Sequence, residues 1–110
     1  MTAPIWPSVA DLVDAGLRRT YAEMVRARAR HDAGRLTAAE WTATTARLYA
    51  RRARWWAVLD RATLADRCVH TVYMRAVLAA TCDAERDARY WNGQAAAHAA
   101  EAAEQRDGVA

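Results

Sequence analysis

Arginine is the residue type in this chain whose spacing best suits it to bind a ligand at the protein surface. Within residues 41–61, four arginines recur at offsets of 4, 7 and 14 residues, which puts them on one face of a helix. They are Arg47, Arg51, Arg54 and Arg61. A guanidinium group binds a phosphate or a carboxylate through two parallel hydrogen bonds. This row therefore predicts contact with an anion.

A second row of arginines precedes the first along the chain. It consists of Arg19, Arg26 and Arg30, which fall within a narrow sector of a helical wheel. The row at 47–61 has carboxylates only at its margins, Glu40 and Asp60, so its arginines should repel one another unless an outside anion is bound. The competing interpretation is a solvated face, because charged stripes on helices are usually exposed and contribute little.

Catalytic motifs are missing from the sequence. The three histidines, at positions 31, 70 and 98, belong to different segments, and the two cysteines lack the spacing of a metal site. The sequence contains no glycine-rich phosphate loop and no nucleophile beside a suitable base. We therefore expect a protein that is not an enzyme and that uses no metal or cofactor.

The composition predicts an all-α fold that holds these arginines in place. Apolar residues make up 54% of the 110 residues, and the only two prolines both precede residue 8. We expect one domain spanning 1–110, an antiparallel bundle of three long helices plus a short C-terminal helix. We expect residues 1–7 to form an irregular entry and 94–110 to form an alanine-rich helix or tail after a break at Asn92-Gly93.

The helix boundaries rest on capping residues. Ser8 and Thr37 each precede an acidic residue by three positions, which predicts two helix starts, and Gly34 predicts the end of the first helix. We expect a third helix over about 64–91. The stretch from 68 to 82 has a single charged residue, which indicates a central, buried helix.

Cysteine usage and the apolar pattern suggest a location in the cell. Cys68 and Cys82 would lie on the same helix, roughly 21 Å apart at 1.5 Å per residue, too far for a disulfide. Free thiols are typical of a reducing cytoplasm, and neither a signal peptide nor a membrane span is visible. We expect a cytoplasmic protein with no membrane partner.

Two further groups of residues are candidates for a partner interface. A strip of small residues runs along the second helix, where another backbone can approach closely, either the fourth helix or another subunit. It consists of Ala46, Ala50, Ala53 and Ala57. Trp56 and Trp91 lie near the edges of their apolar faces, where they could serve a protein interface or stack on bases. We favour the interface, because tryptophan often anchors a protein partner.

The chain resembles the small helical subunit of multi-subunit (class 1) CRISPR effector ribonucleoprotein complexes. The resemblance rests on the two arginine rows, together with small size, a helical fold and the lack of a catalytic site. It implies several copies stacked along a guide RNA and its target nucleic acid, contacting the backbone without reading sequence. The alternative is a helical protein–protein interaction adaptor or regulator, either monomeric or dimeric, whose arginines meet acidic protein surfaces without nucleic acid.

Overall fold

Three helices make up most of the chain in this computed structural model, which describes residues 8–109. α1 spans Val9–Asp32, α2 spans Ala38–Ala65 and α3 spans Thr71–Val109. No strand occurs within residues 8–109, and the predicted all-α class is confirmed. The predicted irregular entry at 1–7 lies outside the described residues.

Reciprocal hydrogen bonds cap the first two helices. The Asp11 amide donates to the Ser8 hydroxyl at 3.1 Å, and the Ser8 amide donates to the Asp11 carboxylate at 3.2 Å. Thr37 and Glu40 repeat this arrangement at 3.1 and 3.0 Å. Both helices therefore begin where the sequence predicts, because each box satisfies amides that lack a partner within the helix.

A glycine ends α1 and turns the chain back. Gly34 has a φ of 73°, a conformation that L side chains rarely adopt. Its amide donates to the His31 carbonyl, and the Arg35 amide donates to the Arg30 carbonyl, both at 2.9 Å. This is the Schellman pattern. The loop that follows is short, so α1 and α2 pack antiparallel.

The second turn occupies residues 66–70, which the sequence predicted to belong to the third helix. α2 ends at Ala65, and α3 begins only at Thr71, so Cys68 lies in a turn and not on the helix of Cys82. Side chains build this turn: the Cys68 amide donates to the Asp66 carboxylate at 2.9 Å, and the Val72 amide donates to His70 Nδ1 at 3.0 Å. Because residues 66–70 include neither glycine nor proline, no clear signal in the sequence marks this turn.

α3 is much longer than expected. It runs through the Asn92-Gly93 break to Val109, so the predicted short C-terminal helix is the end of α3. A Cβ atom placed on Gly93 would have no neighbour within 4 Å, so no close contact requires glycine there. The alanines around Gly93 favour helix. The Arg52–Asp87 ion pair sets the register against α2, and about eight terminal residues extend past the start of α2.

α2, not α3, is the central helix. α1 and α3 each pack antiparallel on α2, while no Cα atom of α1 comes within 8 Å of one in α3. The weakly charged run of α3 is largely exposed: Val72, Tyr73 and Leu78 are between 52% and 66% accessible. The radius of gyration is 18.3 Å, against about 13 Å for a compact domain of this length. The helices are thus more open than a closed bundle.

The buried residues form thin seams along α2. Val13, Ala27, Leu48 and Ala84 are the buried apolar residues among those described. The buried polar residues are all threonines, namely Thr20, Thr42, Thr45, Thr63 and Thr81. A threonine hydroxyl can bond the carbonyl four residues earlier, so threonine can be buried inside a helix seam without losing its hydrogen bond.

Candidate nucleic-acid interface

The two arginine rows lie on one side of the α1–α2 hairpin. Glu23 on α1 stands one turn from both Arg19 and Arg26. Its carboxylate accepts a hydrogen bond from Arg51 of α2 at 2.9 Å and lies 3.9 Å from a guanidinium nitrogen of Arg47. Glu23, which lies on the same face of α1 as the first row, therefore contacts the second row on α2. We call the seven arginines the arginine face: Arg19, Arg26, Arg30, Arg47, Arg51, Arg54 and Arg61.

The contact with Glu23 corrects the expectation that the second row has no counter-charge. Arg51 is held between the helices, with its side chain 32% accessible, and Arg47 is more exposed at 57%. The sequence did not reveal this pairing because Glu23 is 28 residues away from Arg51 along the chain. Arg51 thus has a structural role in the hairpin.

Five arginines of this face stay available to a ligand. They are exposed, and within residues 8–109 no carboxylate oxygen lies within 4.0 Å of their guanidinium nitrogens. The five are Arg19, Arg26, Arg30, Arg54 and Arg61. Seven arginines with Glu23 and the marginal carboxylates Glu40 and Asp60 carry a net charge of +4, although the whole chain carries only +3. The positive charge is therefore concentrated on one side.

Glu40 marks the end of the arginine face near the turn. Hydrogen bonds from the Thr37 backbone amide and then from its hydroxyl lower the pKa of Glu40, and the charge of Arg30 lowers it further. Partial desolvation opposes these effects. Arg30, the last arginine of the α1 row, is therefore near the start of α2.

The predicted interface alanines pack partly within the chain. The strip at Ala46, Ala50, Ala53 and Ala57 is half-buried. Ala46 and Ala50 line a shallow depression together with Ala88 and Ala95 of α3. The neighbour of this part of the strip is the long α3, which takes the place expected for a separate fourth helix.

The two predicted interface tryptophans also contact their own chain. Trp56 is half-buried, and its backbone carbonyl accepts a hydrogen bond from Thr81 of α3 at 3.2 Å. Trp91 stacks on Tyr49, with ring centroids 5.8 Å apart, and meets Trp41 edge to face at 6.5 Å. Trp91 therefore ties α3 to α2.

An aromatic cleft opens where α1 and α3 separate above α2. Its volume is about 580 Å³, within the range of small-molecule sites. Its walls include Tyr21, Met24, His31, Trp41, Tyr49 and Trp91, and none of the arginine-face residues lines it. The periodicity of apolar residues in the sequence did not predict the cleft. The cleft depends on the distance between α1 and α3, which the pattern of a single helix does not specify.

Other kinds of site are not formed by the described residues. Across 8–109, histidine, cysteine and acidic side chains do not gather in a group that could hold a metal ion. None of the three helices combines the length and apolar character needed to cross a membrane.

No protein-family model matches the chain, and no curated protein or solved structure is detectably similar to it.

Proposed function

We propose that this chain is a non-enzymatic helical subunit of a larger ribonucleoprotein assembly and contacts nucleic-acid backbone through the arginine face. The observation that carries the proposal is the joining of two arginine rows across Glu23, with five exposed arginines unpaired among the described residues. Guanidinium groups spread along the surface of a helical hairpin suit phosphates, and phosphate contacts carry no sequence information. The binding we propose is therefore independent of sequence.

The resemblance to the small subunit of CRISPR effector complexes gives this proposal a concrete form. In that form, copies of the chain stack along a guide RNA and its target. The elongated shape, with extents of 69 × 24 × 19 Å, suits a subunit that lies along a polymer. The partners are then the nucleic-acid backbone, other subunits of the complex and further copies of this chain.

The test is the salt dependence of binding to a single-stranded RNA and to a duplex. The double variant Arg26→Gln, Arg54→Gln removes one exposed arginine from each row. We expect the slope of log affinity against log salt to fall by about two, since each lost phosphate contact removes about one. The free energy of unfolding should stay within about 0.5 kcal/mol of the parent, because neither residue is in a described ion pair.

The matched control is Arg75→Gln, Arg106→Gln, which removes the same charge from exposed positions of α3. We expect its salt slope to equal that of the parent. Slopes that are reduced equally in both double variants would show that the arginine face is not the contact with the nucleic acid. Only net charge would then matter.

A protein-interaction adaptor is the second candidate, favoured by exposed apolar side chains near the α2–α3 turn. Leu64, Val72 and Tyr73 are 62%, 61% and 66% accessible. Large apolar side chains exposed together often mark a protein interface. Binding that buries such residues depends weakly on salt, so the measurement above also separates the two candidates.

A further inference from the structure

Contacts between α1 and α2 fix how the two arginine rows are aligned. The ring of Trp55 on α2 lies directly against Gly16 on α1. Near the end of α1, the His31 ring meets the Trp41 ring edge to face, with centroids 4.5 Å apart. Between these two points, Glu23 accepts a hydrogen bond from α2 at 2.9 Å. Because the helices run antiparallel, each step forward along α1 from Gly16 matches a step back along α2 from Trp55.

This alignment places Arg19 and Arg54 opposite each other across the hairpin. Arg19 comes three residues after Gly16, and Arg54 directly precedes Trp55, so both lie within one turn of that contact. Both belong to the arginine face and therefore lie on the same side of the hairpin. Packed helix axes are about 8–10 Å apart, a separation that two arginine side chains can bridge by binding one phosphate group between them.

No counter-charge within the described part of the chain occupies this pair. Both side chains are exposed, and no described carboxylate oxygen lies within 4.0 Å of a guanidinium nitrogen of Arg19 or Arg54. Glu23, one turn from Arg19, directs its carboxylate to α2 instead. Arg26 and Arg47 form a similar pair two turns further along, but there Glu23 lies 3.9 Å from Arg47. The opposed pair without a nearby acid is therefore Arg19 with Arg54.

The charge of this pair suits a phosphate monoester. A phosphodiester inside a nucleic-acid strand carries one negative charge, which a single arginine neutralises. A terminal phosphate carries about −1.5 to −2 at neutral pH and has three oxygens that accept hydrogen bonds. Two opposed guanidinium groups match such a group with two positive charges and with donors on both sides.

We propose that Arg19 and Arg54 together bind a terminal phosphate of the nucleic-acid strand, with one guanidinium group on each side of it. This inference rests on the proposed function, in which the remaining arginines of the arginine face contact the phosphodiesters of the same strand. A copy of the chain at the end of the strand is then held at a fixed position, and copies stacked behind it take their positions from the first.

The experiment compares one single-stranded RNA in three forms. The first carries a 5′-phosphate, the second a 3′-phosphate, and the third has hydroxyl groups at both ends. Fluorescence anisotropy, with the label in the middle of the strand, measures the affinity of the full chain for each form at low salt. We expect at least one phosphorylated form to bind about three- to tenfold more tightly than the hydroxyl form, the factor that one or two exposed ion pairs supply.

The variants Arg19→Gln and Arg54→Gln test whether the two side chains act as one unit. Each should bring the affinity ratio of phosphorylated to hydroxyl RNA close to one, because a single guanidinium group does not match both charges. The double variant should lower that ratio no further, since residues that bind the same group are not additive.

The matched control is Arg30→Gln, Arg61→Gln, which removes two exposed arginines of the same face that do not stand opposite each other. We expect this variant to bind all three RNAs more weakly and to keep the parent's ratio. A ratio lowered as much as in Arg19→Gln, Arg54→Gln would show that the preference depends on overall charge and would overturn the proposal.

Two further results would overturn it. One is equal affinity of the parent for all three RNAs, and the other is a preference for a terminal phosphate that both single variants keep. In either case the proposed function would still stand if the hydroxyl form bound through the arginine face. Failure of every RNA to bind would overturn the proposed function together with this inference.

Discussion

At the residue scale, Glu40 links helix capping to electrostatics. The hydrogen bonds that Thr37 makes to its carboxylate are stronger when Glu40 is ionised, which is why the pKa of Glu40 is lowered in the folded protein. A carboxylate whose folded pKa lies below its unfolded pKa stabilises the fold above the unfolded value. That stabilisation is lost as the pH falls through the folded value.

Glu40→Gln tests this linkage, because glutamine keeps the shape of the capping residue without its charge. We expect the parent to be more stable than the variant at neutral pH. The difference should shrink as the pH falls below 4.5, the ordinary pKa of the carboxyl group, and should vanish below its folded value. Denaturant melts at a series of pH values measure it, and a constant difference would show that charge does not matter at this cap.

At the element scale, the closeness of α1 and α2 depends on one glycine. The indole ring of Trp55 lies directly against Gly16, in the space that a Cβ would occupy. Helical periodicity puts Trp55 on the apolar face of the second helix but does not identify Gly16 as its neighbour. The available signal is a glycine inside a helix, which costs about 1 kcal/mol relative to alanine.

Gly16→Ala and Gly93→Ala form a matched pair on this point. Alanine favours helix over glycine by about 1 kcal/mol, so Gly93→Ala, with open space around it, should stabilise the protein by about 0.5–1 kcal/mol. Gly16→Ala should destabilise it by about 1–3 kcal/mol, because the Trp55 ring must move. Thermal melts compare the two, and equal stabilisation by both would show that the helices are not in close contact at Gly16.

The helices also show which signals in the sequence were sufficient to predict a helix boundary. Capping boxes and Gly34 specify local hydrogen bonds, and the boundaries they predicted are those of the structure. The turn at 66–70 and the length of α3 were missed, since the first depends on Asp66 and His70 side chains and the second on alanines overriding Gly93. Local patterns therefore predicted the boundaries that carry a capping box or a glycine with positive φ. The turn at 66–70 has hydrogen bonds that are just as local, but they come from side chains that form no such pattern.

At the scale of the whole molecule, relations between helices were harder to infer. The run from 68 to 82 was interpreted as buried because few charges interrupt it, yet Val72, Tyr73 and Leu78 are exposed. A low number of charges means that these side chains could be buried. It does not mean that another helix is present to cover them. The arginine face was visible as two separate rows, but their joining through Glu23 and the opening of the aromatic cleft depend on how the helices pack.

The central position of α2 has a consequence for how the protein opens. α1 and α3 each pack on α2, and no Cα atom of α1 comes within 8 Å of one in α3, so either outer helix can separate while the other stays in place. Amides in the middle of α2 then become accessible only after both neighbours have left, whereas the overhanging end of α3 needs no such event. Hydrogen exchange should therefore be slowest in α2, intermediate in α1 and fastest over about 102–109. An exchange rate in α1 as slow as that in α2 would mean that the two helices unfold as one unit.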